Sequence, residues 1–305
     1  QSSADFIIME NAFLGCTKLK DVYYFGDMDA YTKIKYKNNV ANPLYYQANL
    51  WINGEILEEL LINSNPEKYQ FSGIQSLKRV TFTDDVTEIG EGAFSNCTNL
   101  EEVIHLEKVT KLGNNAFEGN ASLRSIALPE LTIIPNSCFR NCMSLEVISI
   151  PKVTSVGSSA FLGCKSLLAL SLEHVEEIKD SAFKGCSSLT EITLGSISKL
   201  EHDTFANCFG LEKVILPETL TYIAYASFYG CSKLVQIVIP ESVYCIESNA
   251  FAQALNLIVF AKQESQPARW QKNWHQGVKE YYWFSEVPKE GNYWHYDANS
   301  NCVPW

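Results

Sequence analysis

The stretch FKGCSSLTEITLGSISKLEHDTF, residues 183–205, begins and ends on phenylalanine. Between the two rings stand Cys186, Leu189, Ile192 and Leu194, and the same arrangement returns every 22 or 23 residues over most of the chain. A fixed period of this length is typical of a solenoid. In such a protein each unit has apolar faces that only its neighbours can cover.

Three apolar positions recur with the period. The phenylalanines are Phe71, Phe94, Phe117, Phe139, Phe161, Phe183, Phe205, Phe228 and Phe251. Six residues after each comes Leu77, Leu100, Leu123, Leu145, Leu167, Leu189, Leu211, Leu234 or Leu257. Nine residues after each phenylalanine the side chain is again apolar. We therefore expect equivalent side chains of successive units to stack in internal columns.

The spacing within a unit predicts its local structure. Leu189, Ile192 and Leu194 end in a period of two, which places alternate side chains on opposite faces of a short β-strand. The spacing of three from Phe183 to Cys186 favours a helical or 3₁₀ turn. The predicted fold class is thus an α/β repeat with a strand and a short helical or 3₁₀ turn in each 22–23-residue unit. His105 is the one polar residue predicted at an inward strand position.

The register LxxIxLxxI after AFxxC resembles BspA-type leucine-rich repeats, which occur on surface and secreted proteins of bacteria. The match covers residues 71–260 and, more loosely, 6–24. The resemblance implies a right-handed leucine-rich-repeat solenoid on an exported or cell-surface protein, in a family with members that act as adhesins or bind host proteins. Asn120 and Ala254 depart from the pattern because they stand where other units have cysteine.

Composition excludes several classes of protein. A net charge of −11 disfavours nucleic acid as a partner. The chain has no apolar run of about 18 residues, so we predict no transmembrane segment. The first residues lack the features of a secretory signal but lie partway into a repeat, and we expect a signal or an upstream segment to precede them. The predicted location is extracellular or at a cell surface.

Seven of the ten cysteines fall at one position of the repeat. They are Cys16, Cys97, Cys142, Cys164, Cys186, Cys208 and Cys231. A metal site needs ligands that converge on a point, whereas these residues would lie in a row. We therefore predict packed thiols and no metal site among them. Nothing in the sequence indicates a cofactor.

Composition also divides the chain into three parts. Residues 1–70 hold a partial repeat and an aromatic-rich insertion, 71–260 hold the regular repeats, and 261–305 contain five of the six tryptophans and no recognisable repeat. A solenoid must cover its terminal column, so we interpret 261–305 as an aromatic cap. Tryptophan also recognises sugar faces and protein hot spots, and a glycan-binding role for this segment stays open.

No catalytic residues are predicted. The chain lacks the GxSxG, HExxH, GxGxxG and GxxxxGK[ST] motifs of common enzyme classes. The five histidines occupy different phases of the repeat, so stacking does not gather His105, His174 and His202 into one column. An enzyme built into the insertion at 23–70 is a third hypothesis without a motif to support it. We therefore predict a non-enzymatic protein.

The outward side of the strands is the predicted binding surface. Residues eight and ten after each phenylalanine must point away from the core. The predicted partner-binding residues are Ser125, Ala127, Val147, Ser149, Ala169, Ser171, Glu191, Thr193 and Lys213. Small side chains there also suit crowded parallel strands without any partner, and both explanations stay open.

Two functions follow as hypotheses. The first is an exported leucine-rich-repeat protein that binds a macromolecule, such as a host extracellular-matrix or cell-surface protein, through this strand face. The second is a carbohydrate-binding module in which a glycan lies against tryptophans of the C-terminal segment. Its candidate residues are Trp270, Trp274, Trp283 and Trp294.

Overall fold

The computed structural model describes residues 6–305, which form two compact units. One unit contains residues 6–152 and 163–165, and the other contains 153–162 and 166–305. Both are β-solenoids whose coils repeat every 22 or 23 residues. Within the described residues, helical structure is limited to α1 (Met28–Tyr31) and a 3₁₀ helix at Asn39–Ala41.

The first unit contains thirteen short strands. They are β1 (Phe6–Ile8), β2 (Asp21–Tyr24), β3 (Ile34–Tyr36), β4 (Asn49–Ile52), β5 (Glu55–Ile56), β6 (Glu59–Ile62), β7 (Arg79–Phe82), β8 (Glu88–Ile89), β9 (Glu102–Ile104), β10 (Lys111–Leu112), β11 (Ser125–Ala127), β12 (Ile133–Ile134) and β13 (Val147–Ser149). Strand β6 pairs with β7 and β7 with β9, and β11 pairs with β13, all in parallel. Strands β4 and β5 form an antiparallel hairpin within the N-terminal insertion.

The second unit continues with twelve strands. They are β14 (Ser155–Val156), β15 (Glu177–Ile178), β16 (Glu191–Thr193), β17 (Lys199–Leu200), β18 (Lys213–Ile215), β19 (Tyr222–Ile223), β20 (Gln236–Ile239), β21 (Cys245–Ile246), β22 (Ile258–Ala261), β23 (Glu280–Phe284), β24 (Tyr293–Tyr296) and β25 (Cys302–Pro304). Strand β16 pairs with β18, and β20, β22, β23 and β24 follow one another in one sheet, all in parallel. Strand β25 closes this sheet with antiparallel pairing to β24.

The predicted helical or 3₁₀ turn at each phenylalanine is wrong. Residues two before and two after the ring have left-handed backbones, as Ser181 (φ 57°) and Gly185 (φ 78°) do around Phe183. Left-handed residues interrupt a right-handed helix. The N–H groups of Ser181, Phe183 and Gly185 instead donate to carbonyls of the next coil, at distances of 2.9, 2.9 and 2.8 Å. The turn is therefore bound to its neighbour as well as by single hydrogen bonds within itself, such as that from Cys186 N–H to Phe183 O at 3.1 Å.

The phenylalanines form a stacked column inside each unit. In the first unit the centroids of Phe94 and Phe117 lie 5.7 Å apart with an angle of 9° between the ring planes. In the second unit Phe183 and Phe205 lie 5.4 Å apart at 7°. All nine rings are buried, and so are the nine leucines six residues further on. The predicted columns are confirmed.

Six of the seven cysteines at the repeated position are packed thiols, as predicted. Each buried thiol donates a hydrogen bond to the carbonyl of a phenylalanine in the preceding coil, as Cys208 Sγ does to Phe183 O at 3.1 Å. Burial raises the pKa of Cys208 to about 12. The prediction is wrong for Cys16, which is exposed.

One coil lacks the predicted strand. The described chain forms no strand at 168–171, and the coil pairs with the next only at the bridge from Leu172 to Leu194. Leu170, predicted to point inward, is only half-buried. Seven of the other eight coils have valine or isoleucine at this position, and β-branched side chains suit a strand better than leucine. Ala169 and Ser171 are therefore exposed but do not lie on a strand.

The inward position predicted for His105 is also wrong. Its backbone is left-handed (φ 63°) and its side chain is 63% exposed. Leu106 is buried in its place. One extra residue at the end of β9 thus turns the imidazole out of the core.

The C-terminal segment continues the solenoid, so the prediction that it contains no repeat is wrong. Strand β22 pairs with β23, 22 residues further on. Trp274 occupies the position of the next phenylalanine, is buried, and packs edge-on against Phe251 with centroids 6.3 Å apart. The sequence signal was weak because a tryptophan replaces the phenylalanine. The three-part division at 70/71 and 260/261 stays a prediction.

Candidate functional site

The outward strand side of the first unit holds four of the predicted partner-binding residues. Ser125 lies opposite Val147, and Ala127 lies opposite Ser149, in the register of β11 and β13. All four side chains are exposed, and Val147 is 56% exposed. They are exposed because strand residues alternate between faces and Ile126 and Ile148 take the inward face.

These four residues line part of a groove of about 500 Å³. Ile104 and Pro129 extend its apolar surface, while His105 and Glu107 stand at one side. The His105 Nδ1 and Glu107 Oε2 atoms are 3.9 Å apart, too far for a hydrogen bond. His105 was not predicted as a groove residue because its position in the repeat indicated an inward side chain.

The charged residues beside this groove pair with one another. Arg79 Nε lies 2.6 Å from Glu102 Oε2, and Arg79 Nη1 lies 3.4 Å from Glu59 Oε1. The hydrogen bond to Glu102, followed by attraction to both carboxylates, raises the pKa of Arg79. Exposed pairs of this kind stabilise a fold only slightly. Glu102 lines the groove, and its charge is paired there with that of Arg79.

The second unit holds the remaining predicted residues. Glu191 lies opposite Lys213 in the register of β16 and β18, and the two side chains form an ion pair. Thr193 lies opposite Ile215. Ala169 and Ser171 are not part of this strand pair. The structure thus brings Glu191, Thr193 and Lys213 together and leaves the other two outside a strand.

A second groove, of about 440 Å³, lies on the strand side of this unit. Ile215, Val238 and Pro240 supply apolar surface, and Tyr296 of β24, 43% exposed, forms part of the wall. Of the predicted residues only Lys213 lines it. Tyr296 could not be placed there from sequence because its segment was not recognised as continuing the sheet.

An ion pair borders the second groove. Lys262 Nζ lies 2.5 Å from Glu218 Oε1, a contact that joins residues 44 positions apart. Burial works to lower the pKa of Lys262, but the hydrogen bond to Glu218 and nearby negative charge outweigh it, so the pKa is raised. Lys262 therefore stays charged and paired, as Arg79 does at the first groove.

Three of the four tryptophans predicted for glycan binding are buried. They are Trp270, Trp274 and Trp294. The ring N–H groups of Trp270 and Trp294 donate to the carbonyls of Val243 and Ala261, at 3.2 and 2.8 Å. Only Trp283 keeps part of its surface exposed. A sugar needs an open ring face, so this packing does not favour the glycan alternative.

The two grooves are lined by apolar, polar and charged side chains. Of the described residues that line them, none forms a nucleophile–base pair within hydrogen-bond distance. No helix among residues 6–305 has the length and apolar character needed to span a bilayer.

Coils with a short parallel strand, a phenylalanine-centred turn and a buried leucine column define a leucine-rich-repeat β-solenoid. The family model for the BspA type leucine rich repeat region matches residues 63–168 and 154–266 with six copies. The chain belongs to this family. No curated protein matches the chain.

The fold is shared with one solved structure, and two others show some similarity to this chain. A leucine-rich repeat protein from Bacteroides ovatus matches with a TM-score of 0.50 and 22% identity over 91% of this chain and 78% of that one. A leucine rich cell surface protein from Faecalibacterium prausnitzii has a TM-score of 0.42 and 20% identity over 75% and 79% of the two chains. A leucine-rich repeat protein from Treponema pallidum, TpLRR, has a TM-score of 0.40 and 27% identity over 60% and 74%.

Proposed function

We propose that this is a non-enzymatic leucine-rich-repeat protein that binds a macromolecular partner, a host or cell-surface protein, through the outward side of its strands. The observation that carries the proposal is the pair of grooves, one in each unit, in which the apolar side chains of Val147 and Ile215 are exposed. Solenoids present extended surfaces of this kind to macromolecules.

The charges around the grooves support a protein partner over a polyanion. Arg79 and Lys262 beside the grooves are paired with glutamates, and the chain carries a net charge of −11. An interface with an apolar centre and a polar rim is the usual arrangement for protein recognition. The predicted residues Ser125, Ala127, Val147 and Ser149 belong to the first groove, and Lys213 belongs to the second.

The proposal includes three finer points. The protein acts outside the cell or at its surface, in keeping with the resemblance to exported family members. Its coils wind in the right-handed sense, which parallel crossover connections adopt in about 98% of cases. Residues 261–305 serve as an aromatic cap, supported by the burial of Trp270, Trp274 and Trp294.

A matched pair of substitutions tests the first groove. Val147 lines it, whereas Ile133 does not, and both side chains are 56% exposed. The wild type, Val147→Arg and Ile133→Arg are applied to an array of purified host extracellular-matrix and mucus proteins. We expect the wild type and Ile133→Arg to bind a common protein and Val147→Arg to bind it about tenfold less tightly or worse.

The second groove is tested in the same array. Ile215→Arg introduces a charge into it, and Leu255→Arg does so at an exposed apolar residue outside it. A bound protein whose affinity falls with Val147→Arg or Ile215→Arg, and not with either control, supports the proposal. An array without any bound protein, or binding unchanged by both groove substitutions, contradicts it.

A further inference from the structure

A cluster of ionisable side chains lies outside both grooves, on coils of the second unit. Asp180 and His202 occupy the position three residues before the phenylalanine in successive coils, and Glu201 precedes His202. One ligand atom from each of these three residues lies within 4.8 Å of the others. Glu247 approaches the same imidazole from further along the solenoid, past the small side chain of Ala224.

Both ring nitrogens of His202 face carboxylates. Nδ1 lies 3.3 Å from Asp180 Oδ1, and Nε2 lies 3.4 Å from Glu247 Oε2. A neutral imidazole has only one N–H, so one of its nitrogens points a lone pair at a carboxylate. These distances also exceed the roughly 2.7–2.9 Å of a charge-assisted hydrogen bond. Either a second ring proton or a metal ion between one nitrogen and its carboxylate relieves this contact.

The hydrogen bonds of Glu247 indicate which ring nitrogen of His202 carries the proton. Its carboxylate accepts hydrogen bonds from the Tyr222 hydroxyl and, at 2.7 Å, from the Tyr225 N–H. A carboxylate held in place by these bonds favours the tautomer with the proton on Nε2. The lone pair of Nδ1 is then directed towards Asp180.

We propose that Asp180, Glu201 and the Nδ1 atom of His202 bind a divalent transition-metal ion such as Zn²⁺, with Glu247 as the outer carboxylate that orients the imidazole. Metal-bound histidines usually donate their other N–H to a carboxylate in this way. For zinc bonds of about 2.0–2.1 Å, the edge of a ligand tetrahedron is about 3.3–3.4 Å. The Nδ1 to Oδ1 separation of 3.3 Å matches that edge.

The local charge suits a dication. With a neutral imidazole, the carboxylates of Asp180, Glu201 and Glu247 face one cation, Lys199, whose Nζ lies 2.7 Å from Glu201 Oε2. Imidazole selects transition metals over calcium and magnesium, which prefer oxygen ligands. The Asp180 and His202 side chains are 58% and 52% exposed, so water can occupy the remaining coordination position.

Calorimetric titration of the full chain with ZnCl₂ tests the site. We expect one Zn²⁺ per chain and a loss of affinity of about tenfold or more in His202→Ala. His174→Ala is the matched control because His174 is exposed but belongs to no such cluster in the described part of the chain. Cys245→Ser is a second control, since a nearby half-buried thiol could bind zinc by itself. Both controls should bind as the wild type does.

Glu247→Gln separates the proposed site from binding by a lone histidine. It removes none of the three ligands, yet losing an outer carboxylate weakens metal binding by about 10–100-fold. Unchanged affinity in Glu247→Gln or in His202→Ala, or a wild type that takes up no Zn²⁺, overturns the proposal. Zinc affinity does not depend on either groove, so this result is independent of partner binding.

Discussion

The turn side and the strand side of each coil differ in how strictly they repeat. On the turn side every coil from 71 to 260 buries a phenylalanine between left-handed residues, and within each unit backbone hydrogen bonds connect neighbouring coils, as Phe183 N–H does with Thr204 O. On the strand side the outward residues range from Arg79 to Ala127, and one coil has no strand at 168–171. We infer that the phenylalanine column on the turn side holds the solenoid together, whereas the outward strand residues can vary.

The largest effect is expected in the turn column. Phe183→Ala removes a buried ring stacked on two neighbours and should lower the free energy of unfolding by about 3–5 kcal/mol. Phe209→Ala is the control, because that ring is 51% exposed. Urea denaturation followed by circular dichroism measures both. Equal losses of unfolding free energy in the two variants would show that a ring of the phenylalanine column contributes no more to stability than an exposed ring does.

The second test concerns Asn120, which stands where most coils have the buried cysteine. Asn120 is buried, and neither its amide nitrogen nor its oxygen has a hydrogen-bond partner among the described residues. An unsatisfied buried polar group costs about 1–3 kcal/mol. Asn120→Cys should therefore stabilise the protein by about that amount.

The reverse change is its control. Cys142→Asn, in the next coil, should destabilise the protein because it removes a thiol that donates to Phe117 O at 3.1 Å. Melting curves of both variants are compared with the wild type. A loss of stability in Asn120→Cys would contradict the equivalence of the two positions.

A smaller effect is expected from the left-handed backbone. Ala226 has a φ of 57°, where a Cβ atom costs roughly 1–2 kcal/mol. Ala226→Gly should therefore raise the free energy of unfolding by about 1 kcal/mol. Ala224→Gly, two residues earlier and outside the left-handed region, should lower it. Shifts of the same sign in the two variants would contradict this account of the turn.

The smallest change in stability is expected on the strand face. Val147→Arg places a charge on an exposed side chain and should alter the free energy of unfolding by no more than about 0.5 kcal/mol. The urea midpoint measures it. A loss of several kcal/mol would mean that Val147 belongs to the core and is not available to a partner.

The sequence predicted the parts of the fold that repeat. Equivalent residues such as Leu189 and Leu211 occur at a fixed interval, so one unit determines the environment of the next. It did not predict the turn conformation, because spacing alone does not distinguish a 3₁₀ helix from a turn with left-handed residues such as Ser181. The hydrogen bonds that decide between them connect different coils.

The residues of the candidate site could be predicted only where they follow from the regular repeats. Outward residues such as Ser125 and Val147 follow from strand alternation and were placed correctly on the exposed face. Tyr296 and Lys262 were missed because their contacts at the second groove depend on pairing beyond the recognised repeats. His202 and Glu247 were missed for a similar reason, since they meet across an intervening coil.

The most direct measurement of coil stacking is the accessibility of the cysteines. The native protein is exposed briefly to N-ethylmaleimide at pH 8, and the labelled residues are mapped by mass spectrometry. Burial raises the pKa of Cys97 and Cys142 to about 12, so these thiols stay protonated and shielded. We predict labelling at Cys16, Cys245 and Cys302 and none at the seven buried cysteines. Rapid labelling of Cys97 or Cys142 in the folded protein would contradict the stacked coils.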